Sequence, residues 1–102
     1  MDRKIIWSKR ARKEQTEIFE YWNARNYSKT YSNRLNRLFK ETTKLISLFP
    51  EIGRQTDKDG VRVSLVENYL LIYEPVDNET ILILSIWDTR QNPDKLFKRI
   101  NP

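Results

Sequence analysis

Cysteine and histidine are both absent from this sequence of 102 residues. The first absence excludes disulfide bonds and thiolate metal sites, and the second removes the commonest metal ligand and the side chain that titrates closest to neutral pH. Glycine occurs only twice, at Gly53 and Gly60, so the chain also lacks a glycine-rich phosphate-binding loop. The sequence therefore predicts no metal, no other cofactor and no small-molecule substrate.

No stretch of the sequence approaches the roughly 18 consecutive apolar residues of a membrane-spanning helix. Apolar residues still make up 38% of the chain, and they include three Trp, four Phe and five Tyr, which can build the core of a small domain. We therefore expect one domain over residues 1–102, in a cytoplasmic protein that does not bind a membrane.

Positive charge is concentrated in the first half of the chain. Residues 1–50 carry 12 Lys or Arg and 5 Asp or Glu, whereas residues 51–102 carry 7 and 9, and the net charge is +5. A basic surface suits a nucleic acid, a ribosome or an acidic protein as a partner, but it is equally typical of a solvated helix surface. The charge pattern alone leaves both interpretations open.

The spacing of apolar residues predicts two helices after a short first strand. The strand covers residues 4–7 and is followed by Ser8, which can cap a helix over residues 9–24. Ser28 can cap a second, longer helix, which Pro50 and Gly53 stop. Together these two segments predict a helical hairpin.

Beyond Gly53 the apolar residues change to a period of two, which is typical of strands. Three strand-like runs follow, separated by short turns, at residues 61–65, 69–73 and 80–87. Short connections favour an antiparallel meander, so the predicted element order is β-α-α-β-β-β. The expected class is α+β, with the helical hairpin packed on one face of a mainly antiparallel four-stranded sheet.

The last of these runs is apolar on both faces. Simple alternation places Ile83 and Trp87 on one face and Ile86 on the other. Because two helices cover only one face of a sheet, the second face needs another cover. The sequence offers its own C-terminal residues, including Leu96 and Phe97, or a partner protein, and we favour a partner because a short tail buries little area.

A polar cluster follows this run directly, in the sequence IWDTRQNPDKL. An ion pair between Asp88 and Arg90, or between Asp88 and Arg62, can fix the end of the strand. Gln91 and Asn92 can then satisfy the backbone of the turn. This interpretation gives the cluster a structural role.

A catalytic interpretation combines the cluster with residues from the other strands. Arg62 or Arg90 would stabilise charge on a phosphodiester, and Tyr73 would activate a 2′-hydroxyl only if its pKa were strongly perturbed. The predicted strands carry one cation, Arg62, and no lysine, which makes a poor lining for bound RNA. Composition therefore favours the structural role over catalysis.

The element order and three stretches of the sequence together resemble the RelE/ParE superfamily of bacterial toxins, the toxic halves of type II toxin-antitoxin operons. The stretches are LFPEIGR (48–54), VRVSLVENYLLIYEP (61–75) and LSIWDTRQNPDKL (84–96), and the resemblance covers nearly the whole chain. It implies a small α+β toxin held inactive in a tight complex with an antitoxin. An acidic antitoxin segment that folds on binding would suit the basic helices and the apolar sheet.

The superfamily has two branches, and this sequence can be compared with both. RelE-like members cut mRNA in the ribosomal A site, whereas ParE-like members poison DNA gyrase without nuclease activity. RelE-like toxins tend to carry two alternating basic residues on the first meander strand, an Arg after the aromatic residue that opens the next strand, and basic residues after the last. The corresponding residues here are Arg62 with Ser64, Leu70 after Tyr69, and Asp88 with Arg90, so only Arg62 and Arg90 keep the RelE-like pattern.

The resemblance therefore implies a bacterial toxin of the ParE type that is neutralised by a cognate antitoxin, acts on gyrase and is not an enzyme. One alternative is a ribosome-dependent mRNA endonuclease that uses Arg62, Tyr73 and Arg90. Another is a non-toxic relative that keeps the fold as an interaction module. The residues expected to contact the target or the antitoxin are Arg62, Tyr69, Asp88, Arg90, Gln91, Asn92, Leu96 and Phe97.

Overall fold

The computed structural model describes residues 2–91 and Lys95, and within these residues it shows two helices and a five-stranded sheet. The elements are β1 (Lys4–Trp7), α1 (Lys9–Asn26), α2 (Thr30–Leu48), β2 (Arg54–Gln55), β3 (Arg62–Val66), β4 (Tyr69–Pro75) and β5 (Thr80–Asp88). The predicted α+β class and helical hairpin are confirmed. The difference is β2, a strand of two residues that extends the expected four-stranded sheet to five. No helix in the described part is long and apolar enough to cross a membrane.

The order of the strands across the sheet is β1-β5-β4-β3-β2. The first strand pairs in parallel with the last, and the other neighbours are antiparallel. β5 therefore lies inside the sheet, between β1 and β4. Its end lies beside the start of β4, where Asp88 pairs with Tyr69.

The two helices pack on one face of the sheet and form the main core there. In α2, Leu35, Phe39 and Ile46 are completely buried, because their spacing of four and seven residues places them on one side of the helix. α1 adds the fully buried Ala11 and the partly buried Ile18. Each large side chain buried in this way stabilises the fold by about 1.5–3 kcal/mol, so the core holds the hairpin on the sheet.

A β-bulge in β5 changes the direction of the last side chains in the strand. The register with β4 shifts after Ile83, so that Leu84 is an extra residue. Beyond it, Ile86 packs in the helix-facing core and Trp87 packs in a cluster on the opposite face. The prediction from simple alternation, which placed Ile83 and Trp87 on the same face, is wrong for this reason.

The second face of the sheet carries a smaller apolar cluster. Ile72 and Trp87 are buried in it, whereas Leu65, on the neighbouring strand, is 65% exposed. The C-terminal residues that could cover this face, including Leu96 and Phe97, lie outside the described residues. A partner on this face therefore stays a prediction.

Ser8 joins the start of α1 to the bulge. Its hydroxyl accepts a hydrogen bond from the N–H of Ala11 at 3.0 Å, which caps the helix as the sequence predicted. The same hydroxyl donates to the carbonyl of Leu84 at 2.9 Å. One side chain thus supplies a hydrogen-bond partner both to a backbone N–H in the first turn of the helix and to the backbone carbonyl of the extra residue in the strand.

We expect Ser8→Ala to lower the free energy of unfolding by about 1–2 kcal/mol, because it removes a helix cap and leaves the Leu84 carbonyl without its donor. Urea denaturation measures the change. Ser28→Ala is the matched control, since that hydroxyl bonds only to Thr30 in an exposed turn. Equal losses in the two variants would contradict a special role for Ser8.

Candidate functional site

The predicted site residues lie in two groups at opposite ends of the sheet. Tyr69 pairs with Asp88 at one end, and Tyr73 pairs with Arg62 at the other. Tyr73 lies four positions after Tyr69 on β4, which corresponds to about 13 Å along the strand. Arg90 follows Asp88, so the structure does not bring Arg62, Tyr73 and Arg90 together.

Tyr73 is completely buried and holds the loop between α2 and β2. Its phenol oxygen accepts a hydrogen bond from the N–H of Gly53 at 2.9 Å and donates to the carbonyl of Pro50 at 2.8 Å. Burial raises the pKa of the phenol, although the bond from Gly53 and the charge of Arg62 act in the opposite direction. A phenol with these two partners and a raised pKa is poorly suited to remove a proton from a substrate.

The same loop requires glycine at position 53. A Cβ atom there would lie 2.5 Å from the Tyr73 oxygen and 2.8 Å from the carbonyl oxygen of Val63. These contacts explain why the stretch LFPEIGR contains one of the two glycines of the chain.

Arg62 holds this loop from the side. Its Nη1 donates to the carbonyl of Glu51 at 3.0 Å and to the carbonyl of Gly53 at 2.7 Å. The fixed loop exposes two apolar side chains, Phe49 at 60% and Ile52 at 53%. They line a groove of about 710 Å³, together with Arg62 and others, which we call the α2–β2 groove.

Asp88 and Arg90 form the predicted ion pair at the other end of the sheet. Nε and Nη2 of Arg90 donate to the carboxylate at 3.0 and 2.7 Å, and the backbone N–H of Arg90 donates to it at 2.9 Å. The side-chain hydrogen bond from Arg90 lowers the pKa of Asp88 and raises the pKa of Arg90. This bidentate geometry fixes the guanidinium at the end of β5.

Trp22 connects this ion pair to the helices. The guanidinium of Arg90 lies 5.7 Å from the centre of the Trp22 ring, and Nε1 of Trp22 donates to the hydroxyl of Tyr69 at 2.8 Å. Tyr21 and Tyr31 pack edge-on against the same ring, with centroid distances of 5.1 and 4.7 Å. Burial raises the pKa of Tyr69, so its hydroxyl stays a neutral partner of the indole.

A cleft of about 450 Å³ opens beside this network, between α1 and the end of β5. We call it the β5 cleft; its lining residues are Glu14, Glu17, Ile18, Tyr21, Tyr69, Ile86, Trp87, Asp88, Arg90 and Gln91. Four of the residues predicted to contact a partner are therefore neighbours here, whereas Arg62 lies in the α2–β2 groove. Asn92, Leu96 and Phe97 lie outside the described residues.

Sequence reasoning missed Trp22, which contacts Tyr69 and Arg90 beside the β5 cleft, and Glu14, which lines the cleft. Trp22 gave only a helical apolar signal, and Glu14 gave only a polar one. In the structure Glu14 accepts hydrogen bonds from the hydroxyl of Ser85 at 2.7 Å and from the N–H of Ile86 at 3.1 Å. Both residues are on α1 and reach β5 or its end only after folding, so no local signal could have found them.

The chemistry of the β5 cleft suits polar contacts with a macromolecule. It presents carboxylates, two tyrosines and a guanidinium that its own Asp88 partner holds in place. Within the described residues, no group of three or more His, Cys, Asp or Glu could hold a metal ion.

Comparisons with known proteins give one family and one fold. The family model described as "ParE toxin of type II toxin-antitoxin system, parDE" matches residues 5–93. No curated protein matches the sequence significantly. Among solved structures, a chain of the chromosomal ParDE toxin-antitoxin system from P. aeruginosa superposes with a TM-score of 0.71 at 18% identity, covering 84% of this chain and 95% of that chain. At this identity the likeness shows a shared fold.

We expect Tyr73→Phe to lower the free energy of unfolding by about 1–3 kcal/mol, because the buried N–H of Gly53 and carbonyl of Pro50 would both lose a partner. Urea denaturation tests this. Tyr27→Phe makes the same chemical change at a side chain that is 95% exposed, and should change stability by less than about 0.5 kcal/mol. If Tyr73→Phe is as mild as its control, the phenol does not hold the loop.

The ion pair at the end of β5 should make the free energy of unfolding depend on pH in the acidic range. Since folding lowers the pKa of Asp88, the pair contributes stability above the ordinary pKa of aspartate, and that contribution disappears as the pH falls through the folded-state pKa. Asp88→Asn should therefore cost up to about 1 kcal/mol at pH 7. Its difference from the unchanged protein should shrink as the pH falls from about 5 through the lowered pKa of Asp88.

Urea denaturation at several pH values checks this expectation. Asp57→Asn, a change at an exposed aspartate, supplies the control for the loss of one negative charge. A cost of Asp88→Asn that stays constant with pH would rule out the ion pair as its source.

Proposed function

Since this chain belongs to the ParE toxin family of type II toxin-antitoxin systems, we propose that it poisons DNA gyrase and is neutralised by a cognate antitoxin. The observation that carries the choice of target is the separation of the candidate nuclease residues. Arg62 and Tyr73 lie at one end of the sheet and bind the backbone of a loop, and Arg90 lies at the other end in an ion pair.

The separation of these residues argues against the nuclease alternative. Cleavage of RNA requires a base near the 2′-hydroxyl and a cation near the phosphate of the same nucleotide. Tyr73 is buried with both hydrogen-bonding directions occupied, and Arg62 is directed to carbonyls of its own chain. The arrangement supports action through binding rather than through cleavage.

Two surfaces support contacts with protein partners. The α2–β2 groove exposes Leu48, Phe49 and Ile52 at 37–60%, and exposed apolar side chains on a rigid loop are typical anchors of protein interfaces. The β5 cleft adds the fixed guanidinium of Arg90 and the hydroxyl of Tyr69. The solved ParDE structure is of a toxin-antitoxin system, and by analogy we propose an antitoxin as the partner that covers one or both surfaces.

Induction of the chain alone in bacteria tests the proposed target. Gyrase-dependent DNA breaks should appear, while the 5′ ends of translated messages should stay intact. Translation-dependent cuts in mRNA without DNA breaks would establish the nuclease alternative. Growth without inhibition, at confirmed expression, would point to a non-toxic relative.

We further expect Arg90→Ala to weaken growth inhibition or antitoxin binding by at least tenfold, because it releases Asp88 and removes the cation from the β5 cleft. Arg25→Ala is the matched control, since Arg25 is exposed near the end of α1 and does not line the cleft. Circular dichroism should show both variants folded. Equal, small effects of the two changes would exclude the β5 cleft from either interaction.

A further inference from the structure

The hydroxyl of Tyr69 is a buried donor with no acceptor among the residues that the structure describes. The side chain is 3% exposed and lines the β5 cleft. Its oxygen accepts a hydrogen bond from Nε1 of Trp22 at 2.8 Å, but its own O–H has no acceptor within hydrogen-bonding distance in the described part of the chain. Buried donors are almost always paired, so solvent or a ligand in the cleft has to supply the missing oxygen atom.

The guanidinium of Arg90 provides a second donor beside this hydroxyl. Its Nε and Nη2 donate to Asp88, whereas Nη1 has no acceptor among the described residues. Trp22 positions both groups, because its ring lies 5.7 Å from the guanidinium and its Nε1 binds the hydroxyl of Tyr69. Two donors that line the same cleft are therefore arranged around one indole, which suits an oxygen atom of a ligand.

The other wall of the β5 cleft is one face of α1. Ile18, Glu17 and Tyr21 follow Glu14 at distances of four, three and seven residues, which places all four on the same side of the helix. The side chain of Glu17 is 60% exposed, and Tyr21 is 48% exposed. Glu17 lies 4.0 Å from Lys13, in an exposed pair that is weak and can exchange partners. A carboxylate and an aromatic ring are therefore open to a ligand on this wall.

The β5 cleft is acidic although the protein is basic. Three carboxylates, of Glu14, Glu17 and Asp88, and one cation, Arg90, line it, a net charge of −2, whereas the whole chain carries +5. A carboxylate brought to Tyr69 would lie among three others, and like charges placed together in an interface are unfavourable. A neutral carbonyl is therefore the better acceptor for the two donors, and a cation is favoured beside Glu17.

The size and the lining of the cleft suit a short piece of polypeptide. Its volume of about 450 Å³ lies within the range of ligand-binding clefts. The stem of an arginine or lysine can pack on Ile18, and its charge can lie against the ring of Tyr21 while it pairs with Glu17. Carbonyls inside a helix already accept from their own helix, so a segment that offers a carbonyl here has to be extended.

We propose that the β5 cleft binds an extended segment of a partner protein. A main-chain carbonyl of the segment accepts from the hydroxyl of Tyr69 and from Arg90, and an arginine or lysine of the segment lies between Glu17 and Tyr21. The inference rests on the proposed role of the cleft as a surface for protein partners, but not on the identity of the target. The segment differs in charge from the acidic segment that the basic helices would suit.

NMR titration of the isotope-labelled full chain, free of antitoxin, tests the proposal. The probes are the tripeptides Ala-Arg-Ala and Ala-Glu-Ala with acetylated and amidated ends, which share one main chain and carry opposite charges. The indole N–H of Trp22 reports on the cleft, and that of Trp7, which does not line it, is the internal control. The arginine peptide should shift the Trp22 signal saturably and bind about three- to fivefold more tightly than the glutamate peptide.

The informative variant is Glu17→Gln, and Glu41→Gln is its matched control. Each glutamate is exposed and lies 4.0 Å from a cation one helical turn earlier, but only Glu17 lines the cleft. Glu17→Gln should weaken binding of the arginine peptide about threefold, whereas Glu41→Gln should change it by less than about 1.5-fold.

Tyr69→Phe tests the carbonyl contact. Followed on the backbone N–H of Tyr21, this change should weaken both peptides alike, by about threefold or more, because both offer the same carbonyls. A preserved affinity would overturn the proposal. If this variant does not fold, the titration of Glu17→Gln decides.

Three further results would overturn the proposal. The first is the absence of a saturable shift, and the second is equal effects of Glu17→Gln and Glu41→Gln, which would indicate net charge alone. The third is tighter binding of the glutamate peptide, which would favour an acidic segment at Arg90. A Trp22 signal that moves with protein concentration alone would also overturn it, in favour of a second copy of this chain.

Gyrase-dependent DNA breaks are measured separately after induction of the same chain. Saturable binding of the arginine peptide by a chain that causes no breaks would support this inference and contradict the proposed target. Breaks caused by a chain whose cleft binds neither peptide would do the opposite.

Discussion

Two side chains from α1 and its cap hold the bulge of β5, and the geometry of the candidate site depends on this bulge. Ser8 donates to the carbonyl of Leu84, and Glu14 accepts from Ser85 and from the N–H of Ile86. Buried polar groups of an irregular strand need such partners, because an unsatisfied group costs about 1–3 kcal/mol. The extra residue reverses the side chains beyond it, and Asp88 consequently pairs with Tyr69 on the face that the helices cover.

The two ends of the sheet serve different purposes as a result. At one end, Tyr73 and Arg62 direct their polar atoms to a loop of the same chain, so the loop is rigid and presents its apolar side chains outward. At the other end, Arg90 is held by Asp88 and lies over Trp22 with half of its side chain exposed. Hydrogen bonds that a chain makes to itself reduce the reactivity of a group but preorganise its neighbours for binding.

Regular elements could be predicted from the sequence, and long-range geometry could not. Helical spacing and a change to period two predicted both helices and the meander, because those signals come from neighbouring residues. The bulge depends on Ser8 and Glu14, which are 76 and 71 residues away from their partners on β5, and Leu84 itself gives no turn signal. Trp22 reads as an ordinary core residue for the same reason, and β2 is too short to form a pattern. The ion pair between Asp88 and Arg90 was predictable because its members are two residues apart.

The charged residues of α1 lie partly in the β5 cleft and partly on the exposed first turns of the helix. Glu14 and Glu17 line the β5 cleft, while the lysines and arginines in the first turns of α1 remain exposed, and Arg12 lies over the ring of Trp7 in β1. Of these two acids, Glu14 bonds to the sheet, whereas Glu17 is exposed and lies 4.0 Å from Lys13, and an exposed pair of this kind adds about 0–1 kcal/mol to stability. With Glu14 bonded to the sheet, the exposed first turns of α1 keep a net positive charge, which raises the rate of encounter with polyanions. The carboxylates of Glu14, Glu17 and Asp88 offset the positive charge of Arg90 in the β5 cleft. A protein that binds there must therefore rely on the guanidinium of Arg90, the aromatic rings and shape rather than on its overall net charge.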